Sequence, residues 1–176
     1  MVILLAIVVL LFPLGLVYAA FRDLVSYEIP NWLSVALVVD FLVAAALAGL
    51  PPAEIGLQLA AGALFLAIGA VLFAFRLLGG GDGKLMAACA VWVGWSQMVR
   101  FVVIVALVGG VFAFAVLLAR RFGVLQLWSQ WAWVDRLQEA GQGIPYGIAI
   151  VAGALTVFPQ LSLVVGSGLP AALRAW

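Results

Sequence analysis

Long apolar runs separated by short polar breaks dominate the chain. The first run covers Val2 to Phe21 without interruption, about the 20 residues that a helix needs to cross a hydrocarbon core of about 30 Å. Similar runs follow at 32–50, 55–78, 101–119 and 145–166, with a shorter one at 84–95. The pattern predicts an all-α polytopic membrane protein with about six transmembrane helices, and a single membrane-embedded domain over residues 1–176.

The first run has a second interpretation, a secretory signal peptide, because Val17-Tyr18-Ala19 offers the small residues of a cleavage site. No basic residue precedes the apolar run, whereas signal peptides begin with a positively charged segment. We therefore interpret this run as the first membrane span.

A glycine-rich break separates the third and fourth spans. Residues 79–84 hold four glycines around Asp82, and because glycine disfavours helix, we expect the chain to be non-helical there. A second polar turn is expected at 96–100, which limits span four to roughly 13 to 15 residues, about 20 Å. A span this short implies a thin bilayer or a glycine loop within the membrane, and both place Asp82 near a polar recess.

The longest polar connection, 120–143, contains apolar residues at a helical spacing. Trp128, Trp131 and Val134 recur at i, i+3 and i+6, and most of the charged side chains lie away from them. This pattern favours a helix in the plane of the membrane interface. The alternative is a surface loop.

Composition narrows the chemistry that such a protein can carry. The chain is 68% hydrophobic and 9% charged, with a net charge of +1, no His and one Cys. The small net charge gives no indication of a nucleic-acid partner, and the usual metal ligands and the commonest general base are missing. We expect no metal and no cofactor, so any catalysis falls mainly to carboxylates. Cys89 is interpreted as a small packing residue, since no His is present to activate it.

The basic residues are distributed unequally between the two faces. The first, third and fifth connections share one face and carry six cations: Arg22, Arg76, Lys84, Arg120, Arg121 and Arg136. The opposite face has Arg100 and Arg174. The positive-inside rule therefore predicts that the odd-numbered connections are cytoplasmic and that both termini are outside.

Two aspartates lie on the same face of the bilayer. Asp23 follows span one and Asp82 precedes span four, so the two carboxylates can meet whichever side is cytoplasmic. Close, partly desolvated carboxylates share one proton, which allows one to activate water while the other polarises a carbonyl. Gly79, Gly80 and Gly81 would let an extended peptide lie against the loop. The alternative is a simple turn in which Asp82 is the N-cap of span four.

The remaining acids have simpler interpretations. Asp40 lies nine residues beyond Asn31, about 13 Å into span two, where a carboxyl group must be hydrogen-bonded within the bundle or belong to a polar pathway. Glu28, close to Arg22, is expected to be a solvated or salt-bridged surface acid, as is Glu54.

Three motifs resemble those of a known family. Asp23 is followed by Ile29-Pro30-Asn31, the glycine-rich motif at 79–84 contains Asp82, and Ile144-Pro145-Tyr146-Gly147 opens the last span. In this order, the motifs resemble those of the bacterial type IV prepilin peptidases, which are GxGD intramembrane aspartic proteases. The resemblance covers essentially the whole chain.

The resemblance implies that Asp23 and Asp82 are the catalytic pair of an aspartic endopeptidase. Members cleave the short basic leader of prepilins or pseudopilins before its hydrophobic helix, at the cytoplasmic face of the bacterial inner membrane. Long members carry a four-cysteine zinc insert that is absent here, so the chain resembles the short form that serves Flp-type, tight-adherence pili. We assign as substrate-binding or site-shaping residues Gly79, Gly80, Gly81, Lys84, Pro30, Asn31, Pro145 and Tyr146. Lys84 would favour a charged Asp82, receive an acidic substrate side chain, or simply face the lipid headgroups.

Three other functions fit parts of the pattern. A signal-peptide-peptidase or presenilin-like protease shares GxGD but places its first aspartate inside a span after a tyrosine, whereas Arg22 precedes Asp23. A small transporter or proton channel would use Asp40 with the other two aspartates as a relay. A non-catalytic component of pilus assembly would be expected to have lost one aspartate of the pair, and both are present.

Overall fold

Helices dominate the part of the chain that the structure, a computed structural model, describes, namely residues 2–123 and 145–166. In chain order they are α1 (Val2–Ser26), α2 (Asn31–Ala48), α3 (Pro52–Ala74), α4 (Gly80–Arg121), α5 (Gly147–Val157), a 3₁₀ turn (Phe158–Gln160) and α6 (Ser162–Gly166). No strand occurs within these ranges, and the predicted all-α class is confirmed.

Within the described residues, five helical stretches are long and apolar enough to cross a membrane, and the longest of them is broken. α4 has 42 residues, and at Gly94 its backbone leaves helical geometry, with φ 61° and ψ −177°. The break divides α4 into 80–93 and 95–121, which correspond to the predicted fourth and fifth spans. The predicted polar turn at 96–100 is wrong, because those residues are helical and a glycine conformation sets the break.

Replacing Gly94 by Ala is expected to lower the free energy of unfolding by about 1–3 kcal/mol, because only glycine readily adopts this backbone conformation. The added Cβ would also overlap the side-chain amide of Gln58 on α3. Unfolding of the purified protein in detergent measures the loss. Gly110→Ala is the matched control, since no heavy atom outside the adjacent residues and the local helix backbone lies within 4 Å of its Cβ position. Equal stability of the two variants would contradict the assigned strain.

α1 extends further than its apolar run. It continues to Ser26, so that Asp23 lies inside the helix rather than beyond its end. The Tyr27 N–H still donates to the Asp23 carbonyl at 2.9 Å, and the helix ends where Tyr27 adopts a φ of 56°. A residue in the left-handed conformation commonly ends a helix. Tyr27 therefore ends α1, and the polar side chains that precede it do not.

The glycine-rich segment is helical, contrary to the prediction. Gly80 begins α4, with Gly79 as its N-cap, and the Gly83 N–H donates to the Gly79 carbonyl at 3.0 Å. A Cβ on Gly69 of α3 would lie 3.0 Å from the Gly83 Cα. Small residues allow such close helix crossings in membranes, and this packing offsets the low helix propensity of glycine.

An aromatic cluster holds α1, α2 and α4 together. Trp92 of α4 stacks on Phe12 of α1, with ring centroids 4.5 Å apart, and meets the Phe41 ring of α2 edge-on at 5.7 Å. Its Nε1–H donates to the Leu37 carbonyl at 2.8 Å. The cluster fixes the relative positions of the helices that carry Asp23 and Asp82.

The outer surface of the bundle is apolar. Ile3 and Val99 are each 77% exposed, and many other large aliphatic side chains face outwards. An exposed apolar surface of this extent suits a helical bundle surrounded by lipid. The protein is therefore a polytopic membrane protein.

Several predictions concern residues outside the described ranges. The interfacial helix predicted around Trp128, Trp131 and Val134 lies outside them. So do three other residues used in the predictions: Arg136, Ile144 and Arg174.

Candidate active site

Asp23 is a buried carboxylate near the end of α1. Its side chain is 4% exposed, and its Oδ2 accepts a hydrogen bond of 2.7 Å from the Gly147 N–H at the start of α5. The first N–H groups of a helix have no partner within that helix, so Asp23 satisfies one of them. The bond holds the Asp23 carboxylate against α5.

Asp82 is the third residue of α4. Its carboxylate accepts a hydrogen bond from the N–H of Gly79, the N-cap residue, which is half of a capping box. The expectation that Asp82 itself is the N-cap is wrong by three residues. Asp82 Oδ1 is buried and has no hydrogen-bond partner among the described residues, so one carboxyl oxygen remains available for chemistry.

Asp23 and Asp82 line one cavity of about 440 Å³, which we call the α1–α4 cavity. Their carboxyl groups are close enough to interact electrostatically. The other residues that line it come from the α1–α2 connection and from the start of α4: Arg22, Tyr27, Glu28, Ile29, Pro30, Asn31, Gly79, Gly80 and Gly81. The structure thus brings the two aspartates together, as span parity predicted.

The glycines beside Asp82 provide space for close contacts. A Cβ on Gly79 would lie 2.7 Å from Asp82 Oδ2, and one on Gly81 would lie 3.2 Å from the Ile29 Cβ. Neither glycine has a positive φ, so the expected conformational freedom is not used in this state. Larger residues at these positions would displace Asp82 or the α1–α2 connection.

Tyr146 lines a second cavity, of about 840 Å³, on the other side of Asp82. This α3–α4 cavity includes Gly79 and Asp82, and is completed by Phe73, Ala74, Arg76, Leu77, Leu78, Ala113 and Arg120. The Tyr146 ring packs on Gly109 of α4, where a Cβ would overlap it. Pro145 is buried and lines neither cavity.

Comparison with known families agrees with this arrangement. A sequence model of the type IV leader peptidase family matches residues 10–114, more than half of the chain. The chain belongs to this family. Comparisons with curated proteins and with solved structures found no match.

The matched range of the leader peptidase contains both Asp23 and Asp82 and ends before Pro145. Membership makes the protein a peptidase, with prepilins as the class of substrate, and favours this function over a transporter or an assembly component.

Lys84 of the leader peptidase lies away from the candidate pair. Its side chain is exposed and donates a hydrogen bond of 2.8 Å from Nζ to Asn31 Oδ1, and it lines neither cavity. Asn31 is the first residue of α2, with Pro30 as the N-cap, and no side chain caps this helix. Lys84 instead links α4 to α2.

Asp40 of the leader peptidase lies in α2, within the bundle. Its Oδ2 is buried and has no hydrogen-bond partner among the described residues, and the residue lines neither of the two cavities. The structure therefore does not bring Asp40 together with Asp23 and Asp82.

Sequence reasoning missed two residues of the site. Gly147 lies within the motif at the last span, but the motif predicts no role for it. Its contribution to the site is a backbone N–H, which a residue type does not reveal. The sequence predicts that Glu28 is a surface acid, and it is exposed, as expected. It also lines the α1–α4 cavity, and it forms no ion pair within the described ranges. The signal in the sequence that could have placed Glu28 at the site is its position two residues before Pro30.

Proposed function

We propose that this protein is an aspartic prepilin peptidase in which Asp23 and Asp82 are the catalytic pair, and that residues 1–176 form one peptidase domain. The observation that carries the proposal is the shared α1–α4 cavity, where two carboxylates from α1 and α4 meet. The family supplies the reaction class, hydrolysis of a leader peptide bond. Paired carboxylates supply a mechanism for it.

The reaction follows from one proton shared by the pair. The ionised aspartate takes a proton from water as the water oxygen attacks the scissile carbonyl carbon, and the protonated aspartate donates its proton to the carbonyl oxygen. The C–N bond of the diol intermediate then breaks. The amine nitrogen takes the proton held by the first carboxylate, and a hydroxyl group of the diol returns a proton to the second carboxylate. The products are a leader carboxyl group and a free amine, and the pair regains its starting state.

The substrate that we propose is a Flp-type prepilin. The α1–α2 connection spans only residues 27–30, which leaves no room for the four-cysteine insert of long relatives. Arg22, Arg76 and Arg120 line the two cavities. Because cytoplasmic connections carry most of the Lys and Arg residues of a membrane protein, these cations support a site on the cytoplasmic side of the inner membrane.

Co-expression with a Flp-type prepilin, followed by gel electrophoresis, tests the proposal. We expect the wild-type peptidase to remove the leader and to produce the faster-migrating mature form, with no shift in its absence. A prepilin from a long-form system, expressed in parallel, should be cleaved at least about tenfold more slowly. Failure to cleave either substrate contradicts the peptidase proposal, and faster cleavage of the second contradicts the Flp-type assignment alone.

A further inference from the structure

The two cavities meet at Asp82. Gly79 and Asp82 line both the α1–α4 cavity and the α3–α4 cavity. A peptide that occupies both cavities must therefore cross the Asp82 carboxyl group, with one half of its chain on each side of the bond to be cut.

The α1–α4 cavity has an acidic opening. Glu28 is exposed there, beside Asp23 and Asp82, and forms no ion pair with the cavity's single cation, Arg22, or with any other described residue. With both aspartates committed to chemistry, Glu28 is the carboxylate left to bind a cationic group from outside.

The α3–α4 cavity has the opposite character. The exposed Arg76 lines it, so a cationic peptide segment is disfavoured there by like-charge repulsion. Its other side chains are mainly apolar, and Leu77 is 73% exposed.

An apolar groove continues from this cavity between α3 and α4. The groove shares Leu77, Leu78 and Tyr146 with the α3–α4 cavity and reaches Phe65. Phe65 is nine residues before the end of α3, about 13 Å further along the helix. An apolar segment that enters at Leu77 can therefore continue into the depth of the bundle.

We infer that the two cavities fix the direction in which the substrate binds, with Glu28 as the residue that binds a cationic side chain of the leader. The leader occupies the α1–α4 cavity, and the hydrophobic segment after the scissile bond lies in the α3–α4 cavity and its groove. This inference rests on the proposed function and adds a specificity-determining residue to it.

Charge exchange between enzyme and leader tests the role of Glu28. Glu28→Lys should raise KM for the natural leader by about fivefold to tenfold, because an attraction becomes a repulsion, with kcat changed less than about twofold. A leader whose Lys and Arg residues are changed to Glu should restore KM with this variant and be a poor substrate of the wild type. Glu54→Lys, an exposed charge reversal that lines neither cavity, should behave as wild type with both leaders.

Disulfide cross-linking tests the direction independently. In the uncleaving Asp82→Asn background, Glu28→Cys should cross-link to a cysteine placed in the leader, and Leu77→Cys to one placed after the scissile bond. The controls are the crossed pairs, in which Glu28→Cys is combined with the cysteine after the scissile bond and Leu77→Cys with the cysteine in the leader. The native Cys89 is fully buried, so it should not form these cross-links.

The outcomes separate the two proposals. Absence of cleavage by the wild type contradicts the proposed function. Cleavage by the wild type with no leader-dependent change for Glu28→Lys, or cross-linking only in the crossed pairs, overturns the inferred direction while leaving the peptidase intact. Restoration by the reversed leader also shows that Glu28→Lys is folded.

Discussion

Asp23→Asn and Asp82→Asn are each expected to abolish leader cleavage, with a loss of about 10³-fold or more in rate. Asparagine keeps the size of the side chain but neither takes a proton from water nor carries one to the scissile carbonyl oxygen, and loss of a general acid or base costs about 10²–10⁴-fold. In the proposed mechanism the reaction needs both members of the pair, so the double variant should be no slower than either single one. Leader removal from a co-expressed prepilin, followed over time on gels, measures the effect.

Asp40→Asn is the matched control for these variants. It makes the same chemical change within the same bundle, at a residue that lines neither cavity, and should retain most of the activity. All three variants should accumulate in the membrane at wild-type levels. Normal processing by Asp23→Asn or Asp82→Asn would refute the catalytic assignment, and loss of activity in Asp40→Asn without loss of protein would extend the site to α2.

Gly147→Ala is expected to lower the cleavage rate by about 10²-fold. A Cβ at this position would lie 2.7 Å from Asp23 Oδ2 and 3.0 Å from its Cγ, so the carboxylate must move. A displacement of about 1 Å in a catalytic group is enough for a loss of this size. Cleavage kinetics with a saturating prepilin concentration should show the loss in kcat rather than in KM.

Gly56→Ala provides the comparison for this variant, since no heavy atom outside the adjacent residues and the local helix backbone lies within 4 Å of the Gly56 Cβ position. It should cleave at the wild-type rate. Unfolding measurements on both variants separate a catalytic effect from a general loss of stability. A Gly147→Ala protein with full activity would show that the contact with Asp23 has no part in the reaction.

The sequence predicts the helical class and the meeting of the two aspartates because both depend on strong, simple signals. Apolar runs of membrane length are unmistakable, and the two crossings between Asp23 and Asp82, an even number, place both residues on one face. No atomic detail is needed for that step. Family motifs then add a reaction that span counting does not provide.

Local conformation is predicted less well. The glycines at 80–83 lie in a helix because Gly69 packs against Gly83 and the Asp82 carboxylate bonds to the helix start, interactions that propensity does not include. The break in α4 falls at Gly94 rather than at the polar residues that follow. In both cases tertiary contacts with α3 override the local pattern.

The partners of individual side chains are the hardest to predict. Lys84 is two residues from Asp82 in sequence, but its ammonium group bonds to Asn31 instead. Gly147 contributes only a backbone N–H, which composition and charge do not reveal. Such contacts depend on how helices rotate against one another, and a one-dimensional pattern contains little of that information.

The hydrogen bond between Gly147 and Asp23 joins residues that are 124 positions apart. Contacts of this sequence separation form only after the later residue has been synthesised, and membrane helices are made in chain order. A nascent chain that has inserted α1 through α4 therefore holds both aspartates but not the group that orients Asp23. The proposed peptidase can therefore acquire the Gly147 contact with Asp23 only after α5 has been synthesised.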